Sequence, residues 1–138
     1  MPVLRRAEAG DLDAIAAIQA ASPEAAHWRP DEYLAYDCYV ETCDGQVVGF
    51  LCARRLSADE WEILNLAVEP NYRRRGVARR LLEWHRAVSP GSVFLEVRES
   101  NIGARKFYHS LGFQELSRRV EYYVNPPEAA IVMKFHSC

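Results

Sequence analysis

With 138 residues, a formal net charge of −2, and 26% charged against 49% hydrophobic residues, the chain can bury a core without disulfides or metal as staples and reads as one domain spanning residues 1–138. Its near-balanced charge gives no global field that would gather nucleic acid, so any polyanion site must be local. No stretch nears the roughly 20 apolar residues of a membrane-crossing helix, and the basic, Ala/Asp-rich N-terminus does not look like a signal peptide, so a cytoplasmic protein without membrane or nucleic-acid partners is expected. The cysteines Cys38, Cys43, Cys52 and Cys138 make no C-x-x-C pair, and three lie in or beside apolar strand-like segments, which predicts reduced thiols and no disulfides. His27, His85, His109 and His136 are scattered, with no ligand spacing beyond His136-x-Cys138, so no metal site is expected.

In chain order, Val3 to Arg6 reads as a short strand. Asp11 then caps a helix in which Leu12, Ile15 and Ile18 or Gln19 recur at helical spacing until Ser22 and Pro23 end it. A second, shorter helix is predicted over about Pro30 to Tyr36, where Pro30 suits a first turn and Trp28, Tyr33, Leu34 and Tyr36 supply apolar cover. Cys38 to Thr42 and Gln46 to Ala53 flank Asp44 and Gly45, a strong type I′ hairpin signal because that turn needs positive φ at both central positions. Trp61 to Val68 is apolar on both faces, as expected of a strand central to a sheet.

The next stretch runs from that strand through a basic, glycine-containing turn into an amphipathic helix. The helix, from about Gly76 to Val88, puts Val77, Leu81, Trp84 or His85, and Val88 on one face and stops at Ser89, Pro90 and Gly91. Ser92 to Arg98 alternates, with Val93, Leu95 and Val97 on one face and Phe94, Glu96 and Arg98 on the other. The helix between makes a βαβ crossover, so the two strands should be parallel neighbours. Asn101 can cap another helix, with Ala104, Phe107, Tyr108 and Leu111 on one face before Gly112. A final hairpin is predicted from Phe113 to about Tyr123 and from Ala129 to Phe135, its loop broken by Asn125, Pro126 and Pro127. The order βααβββαβαββ describes an α/β fold with a mixed sheet of about seven strands and about four flanking helices.

The basic turn has the makings of an anion cradle. The leading N–H groups of a helix lack internal partners and sit at the positive end of its dipole. Gly76 allows close backbone approach, and Arg73, Arg74, Arg75, Arg79 and Arg80 surround it with charge. A solvated basic helix start is the plainer alternative for arginines standing alone.

They do not stand alone. Arg73-x-x-Gly76-x-Ala78 after Leu66, Ala67 and Val68 resembles the acetyl-CoA signature Q/R-x-x-G-x-G/A of the GCN5-related N-acetyltransferases (GNAT). Glu62 to Val68, Leu95 to Arg98, Ser100 and Asn101, Phe107 to Phe113, and Arg118 and Arg119 with Tyr122 and Tyr123 are together similar to the bacterial ribosomal-protein alanine N-acetyltransferases of the RimI type. The resemblance covers essentially the whole chain and includes the predicted element order. There are departures: a shorter, proline-stiffened final loop, Ala129 in place of an acidic residue, and one extra residue, Val120 or Glu121, before the tyrosine pair. They fall where the family meets its peptide and so bear on the acceptor rather than the cofactor.

The resemblance implies acetyl-CoA as co-substrate, with its pantetheine paired to the backbone of Leu66, Ala67 and Val68. Its pyrophosphate would then sit on the N–H groups of Arg74, Arg75, Gly76, Val77, Ala78 and Arg79. Asn101 reaches the cofactor by the family pattern, although a plain N-cap is an equal reading of the residue. An α-amine with a pKa near ~8 is mostly protonated at neutral pH, so its acetylation needs a base. Glu96, a carboxylate in mid-strand, is the first choice, with desolvation expected to favour the role; a salt-bridged carboxylate, with Arg98 for example, is the alternative, and Glu62 is the rival base. Tyr108 matches the family's proton donor to the departing thiolate, though it also suits the core. The acceptor implied is a protein N-terminus, that of an alanine-starting small-subunit ribosomal protein, taken by a monomer or weak dimer; small amines and lysine are the alternatives, and a non-catalytic acetyl-CoA-binding module is the remaining one. Trp28, Tyr33, Tyr122 and Tyr123 offer an aromatic slot for that acceptor or are ordinary hydrophobic packing.

Overall fold

A computed structural model describes residues 2–22, 29–124 and 127–136. Seven strands form one sheet: β1 (Pro2–Arg6), β2 (Asp37–Cys43), β3 (Gln46–Ser57), β4 (Glu60–Val68), β5 (Ser92–Arg98), β6 (Gln114–Val124) and β7 (Pro127–Phe135), in the order β1-β2-β3-β4-β5-β7-β6. Among the described residues three α-helices flank it: α1 (Leu12–Ala20), α2 (Val77–Val88) and α3 (Ile102–Ser110). The second predicted helix is a 3₁₀ segment, Pro30–Ala35. Six residues opened by a proline are too few to sustain an α-helix by propagation, and the tighter winding drops Tyr33 into the core. Trp28, Pro23, Asn125, Pro126 and Cys138 lie outside the described residues. Strand β7 begins at Pro127, two residues before the predicted start; a first strand position needs no ladder donor.

The sheet separates two apolar layers. On one side Val77, Leu81 and Leu82 of α2 and Tyr108 and Leu111 of α3 pack on Leu51, Trp61, Val93, Leu95 and Met133. On the other, Ile15 and Ile18 of α1 and Tyr33 cover Val40, Phe50, Cys52 and Ala67. On the predicted α2 face Val77, Leu81 and His85 are buried as expected, with Leu82 added to them, whereas Val88, in the last turn, is 51% exposed. His85 packs edge-on to Trp61, ring centroids 5.3 Å apart, and burial holds its pKa down at about 4. It is thus buried neutral, and the fold loses stability as pH falls from about 6.5, where the unfolded histidine takes its proton, towards 4. The hairpin turn is as expected, with φ of 53° at Asp44 and 80° at Gly45.

Strand β4 departs from simple alternation. Cys52 of β3 registers with Asn65 but its neighbour Ala53 with Ile63, so Leu64 is an extra residue, a bulge. The side-chain pattern reverses there. Trp61 and Ile63 face the α2 layer, whereas Ala67 faces α1 and Asn65 donates to Gln19 of α1 at 3.2 Å and to the Tyr33 hydroxyl at 3.0 Å. The Tyr33 hydroxyl in turn donates to Gln19 Oε1 at 2.5 Å, so these buried polar groups satisfy one another.

Strands β4 and β5 are parallel, as the crossover predicted, but pair only at Glu60–Ser92, Trp61–Val93 and Glu62–Phe94. Beyond Glu62 the strands part. The residues Ile63 to Val68 stay laddered to β3 on one edge and face a gap on the other.

Candidate active site

The gap between β4 and β5 opens into a cleft of about 1000 Å³. Its β4 wall is Ile63 to Val68, its β5 wall Leu95 to Arg98, and Asn101, Ala104, Phe107 and Tyr108 of α3 and its cap close a third side. A smaller hollow of about 390 Å³ continues it towards the start of α2, lined by Tyr72, Arg74, Gly76, Val77, Ala78 and Arg79 among others. Val68, Arg73, Arg74, Ala78 and Phe107 border both. Every predicted site residue except Arg75 thus lines one continuous channel. Arg75 instead lays its guanidinium over the Tyr72 ring, 5.0 Å from the centroid.

The mouth of the channel fits an anionic group. Arg74 and Gly76 both have left-handed backbone, φ 63° and 82°, and no side chain caps the first turn of α2, so its leading N–H groups remain open to a ligand. Arg73 ties this loop to the end of α1, reaching the Ala21 carbonyl and the Ser22 hydroxyl at 3.4 Å each. Arg80 does not belong to the cradle charge as the sequence suggested. Its guanidinium makes two 2.8 Å bonds to Glu41, only 1% exposed, and a 3.0 Å bond to the Arg75 carbonyl. It braces the loop from beneath.

The β4 lane is nearly ready for an extended ligand. The Leu66 N–H, expected to meet pantetheine, donates to the Asn65 side-chain oxygen at 3.0 Å. Asn101 caps α3 through a 3.1 Å bond from the Ala104 N–H and lines the cleft as well, so the two readings of this residue coexist in its position.

Glu96 lines the cleft, its side chain 17% exposed. Its salt bridge is with Arg119, at 2.7 Å, rather than Arg98, whose guanidinium bonds Glu128 at 3.4 Å and stacks on Tyr123 at 4.2 Å. The second Glu96 oxygen, Oε2, is buried and has no hydrogen-bond partner among the described residues. Glu62 stands at the last paired position of β4, is bonded by Arg54, and is not part of the cleft lining. Tyr108 is buried against Phe107 and Phe113, and burial raises its phenol pKa well above the ordinary value. Among the described residues its hydroxyl has no hydrogen-bond partner, so a protonated donor faces the cleft.

Of the described members of the predicted aromatic slot, Tyr33 belongs to the α1 core, while Tyr122 and Tyr123 pack edge to face with centroids 5.1 Å apart. Sequence reasoning missed Arg119 as the partner of Glu96, Glu41 as the anchor of Arg80, and the Asn65 network. Among the described residues no three His, Cys, Asp or Glu side chains gather as a metal site, Cys38, Cys43 and Cys52 are free thiols, and no helix is long and apolar enough to cross a membrane.

Comparison with known proteins gives a coherent result. Residues 11–113 match the family model described as "Acetyltransferase (GNAT) family". An uncharacterised protein of Mycobacterium leprae is 39% identical over 106 residues, 72% of this chain and 29% of that protein. The ribosomal protein bS18-alanine N-acetyltransferase of Escherichia coli K12 is 38% identical over 100 residues, 67% of this chain and 66% of the enzyme. The matches thus span less than two thirds of the length of these relatives. The crystal structure of the ribosomal-protein-S18-alanine N-acetyltransferase from Escherichia coli superposes with a TM-score of 0.84 at 29% identity, covering 99% of this chain and 94% of that one.

Proposed function

We propose that this chain, which belongs to the Acetyltransferase (GNAT) family, moves an acetyl group from acetyl-CoA to the α-amine at a protein N-terminus, that of an alanine-starting small-subunit ribosomal protein. One observation carries the reading: the parting of β4 from β5 after Glu62, which joins an anion-ready helix start to a carboxylate and a protonated phenol in a single channel. The relatives named for bS18-alanine acetylation support the acceptor.

Acetyl-CoA supplies the thioester carbonyl. The backbone at Arg74 to Arg79 receives the pyrophosphate, and the open edge of β4 at Leu66, Ala67 and Val68 aligns the pantetheine. Glu96 takes a proton from the α-ammonium, directly or through one water, leaving a lone pair to attack the carbonyl. The N–C bond forms as the C–S bond breaks, Tyr108 gives its proton to the departing sulfur, and the nitrogen sheds its second proton to water, which restores the Tyr108 phenol and leaves a neutral amide. Nothing in this sequence of steps calls on a cysteine or a metal.

A panel of short peptides differing in their first two residues, with released CoA as the readout, tests the acceptor. N-terminal alanine peptides are expected to be acetylated and internal lysines spared. Preference for lysine or a free small amine would reject the N-terminal reading and leave the acetyltransferase reading standing.

A further inference from the structure

The carboxylate read above as the base is held on one side only. Arg119 Nη1 lies 2.7 Å from Glu96 Oε1, while Oε2 is buried and, among the described residues, accepts no hydrogen bond, with the Tyr122 hydroxyl as the neighbouring donor group. A buried carboxylate oxygen left unpaired is costly, so this arrangement is stable only if something else donates to Oε2 when the site is in use. Arg119 is itself fixed, its guanidinium 4.3 Å above the Tyr122 ring. Its reach is shaped by the sheet edge. Between Arg119–Ala130 and Tyr123–Glu128 four steps along β6 answer two along β7, so the strand bulges immediately after Arg119. Ala129, the residue in between, is small and buried.

We propose that Arg119 is a positioning residue for the reaction: it clamps Oε1 of Glu96 against Tyr122 so that Oε2 alone is presented to the incoming α-ammonium. The inference rests on the reading of Glu96 as base. The clamp explains why the carboxylate meets β6 through one oxygen and why that contact is 54% exposed on the arginine side while the glutamate is sheltered. The charged and titratable groups around Glu96 are few. Arg119, Tyr122 and Tyr123 come from β6 and Arg98 from its own strand, the charge of Glu62 on β4 is felt by Arg119 and Tyr122, and its β7 partner, Val132, is neutral.

The test is steady-state kinetics of Arg119→Gln and Arg119→Lys on an N-terminal alanine peptide, alone and combined with Glu96→Gln. Arg119→Gln is expected to lower kcat by roughly ten- to a hundredfold, the penalty of a misaligned group, with the KM for acetyl-CoA unchanged. Arg119→Lys should recover part of the rate, and in the Glu96→Gln background Arg119→Gln should add nothing. A lower peptide KM with raised kcat/KM in Arg119→Gln would overturn the proposal by making Arg119 a competitor for the ammonium seat. Unchanged kinetics in Arg119→Gln beside an inactive Glu96→Gln would overturn the clamp and spare the base. An active Glu96→Gln would remove the base assignment and the clamp together.

Discussion

Two arginine-rich regions of the molecule, one along β5, α3 and β6 and one at the cradle, differ in how their charge is held. Along β5, α3 and β6 each arginine has a carboxylate: Arg98 with Glu128, Arg105 with Glu115, Arg118 with Glu99 at 2.5 Å and Arg119 with Glu96. At the cradle, among the described residues, no acid pairs with Arg73, Arg74, Arg75 or Arg79. The unpaired region can receive an anion without first breaking an ion pair, and the paired region is neutral in sum and holds its members in place. The exception inside the cradle run, Arg80, is paired and structural.

Four substitutions break or sharpen that contrast. The largest effect is expected from Arg80→Ala, which strands the Glu41 carboxylate in the core. Loss of a buried partner costs about 3 kcal/mol, taken at the low end because the Arg80 side chain is 37% exposed and water can reach the pair. Thermal or denaturant unfolding measures it, and an unchanged midpoint would mean that Glu41 finds another donor. Next is Tyr108→Phe, expected to slow acetyl transfer by about 10²-fold while leaving acetyl-CoA binding intact. Wild-type turnover in the folded variant would return Tyr108 to a packing role.

Gly76→Val should weaken acetyl-CoA binding about tenfold, by forcing a β-branched residue into a left-handed backbone and driving its Cβ to within 2.9 Å of the Arg80 guanidinium. Titration calorimetry reads this directly. The smallest effect belongs to Arg79→Ala, at no more than about threefold in the KM for acetyl-CoA and shrinking with added salt, since an exposed charge is screened and the backbone is expected to hold the phosphate. A tenfold loss there would shift the recognition from backbone to side chains.

Much of this was legible in the chain. Asp44 and Gly45 fixed the hairpin, the alternation in Ser92 to Arg98 put Glu96 opposite Leu95 and Val97, and the spacing from Arg73 to Ala78 located the mouth of the channel. What local pattern could not carry were partnerships across strands. Glu41 lies in a strand whose burial gives no warning of a carboxylate, and its arginine is 39 residues away. Arg119 reaches over a strand to Glu96, and its bulge depends on the register of β6 against β7. Length misled once as well: Pro30–Ala35 had the composition of a helix but too few residues to propagate one.

The extra residue at Leu64 gives β4 something like a reading frame. Substitutions near it change one contact each, and loss of Leu64 would only remove the bulge, but insertion of a second residue between Ile63 and Asn65 would shift everything downstream by one. Asn65 would turn from Gln19 and Tyr33 into the layer beneath α2, and Leu66 would turn towards α1. The lane beside Val68 would keep its composition and lose its orientation. Descendants of this chain can therefore drift in sequence along β4 far more freely than they can gain length there, and a one-residue insertion is the shortest edit that would silence the channel while leaving every residue lining it present.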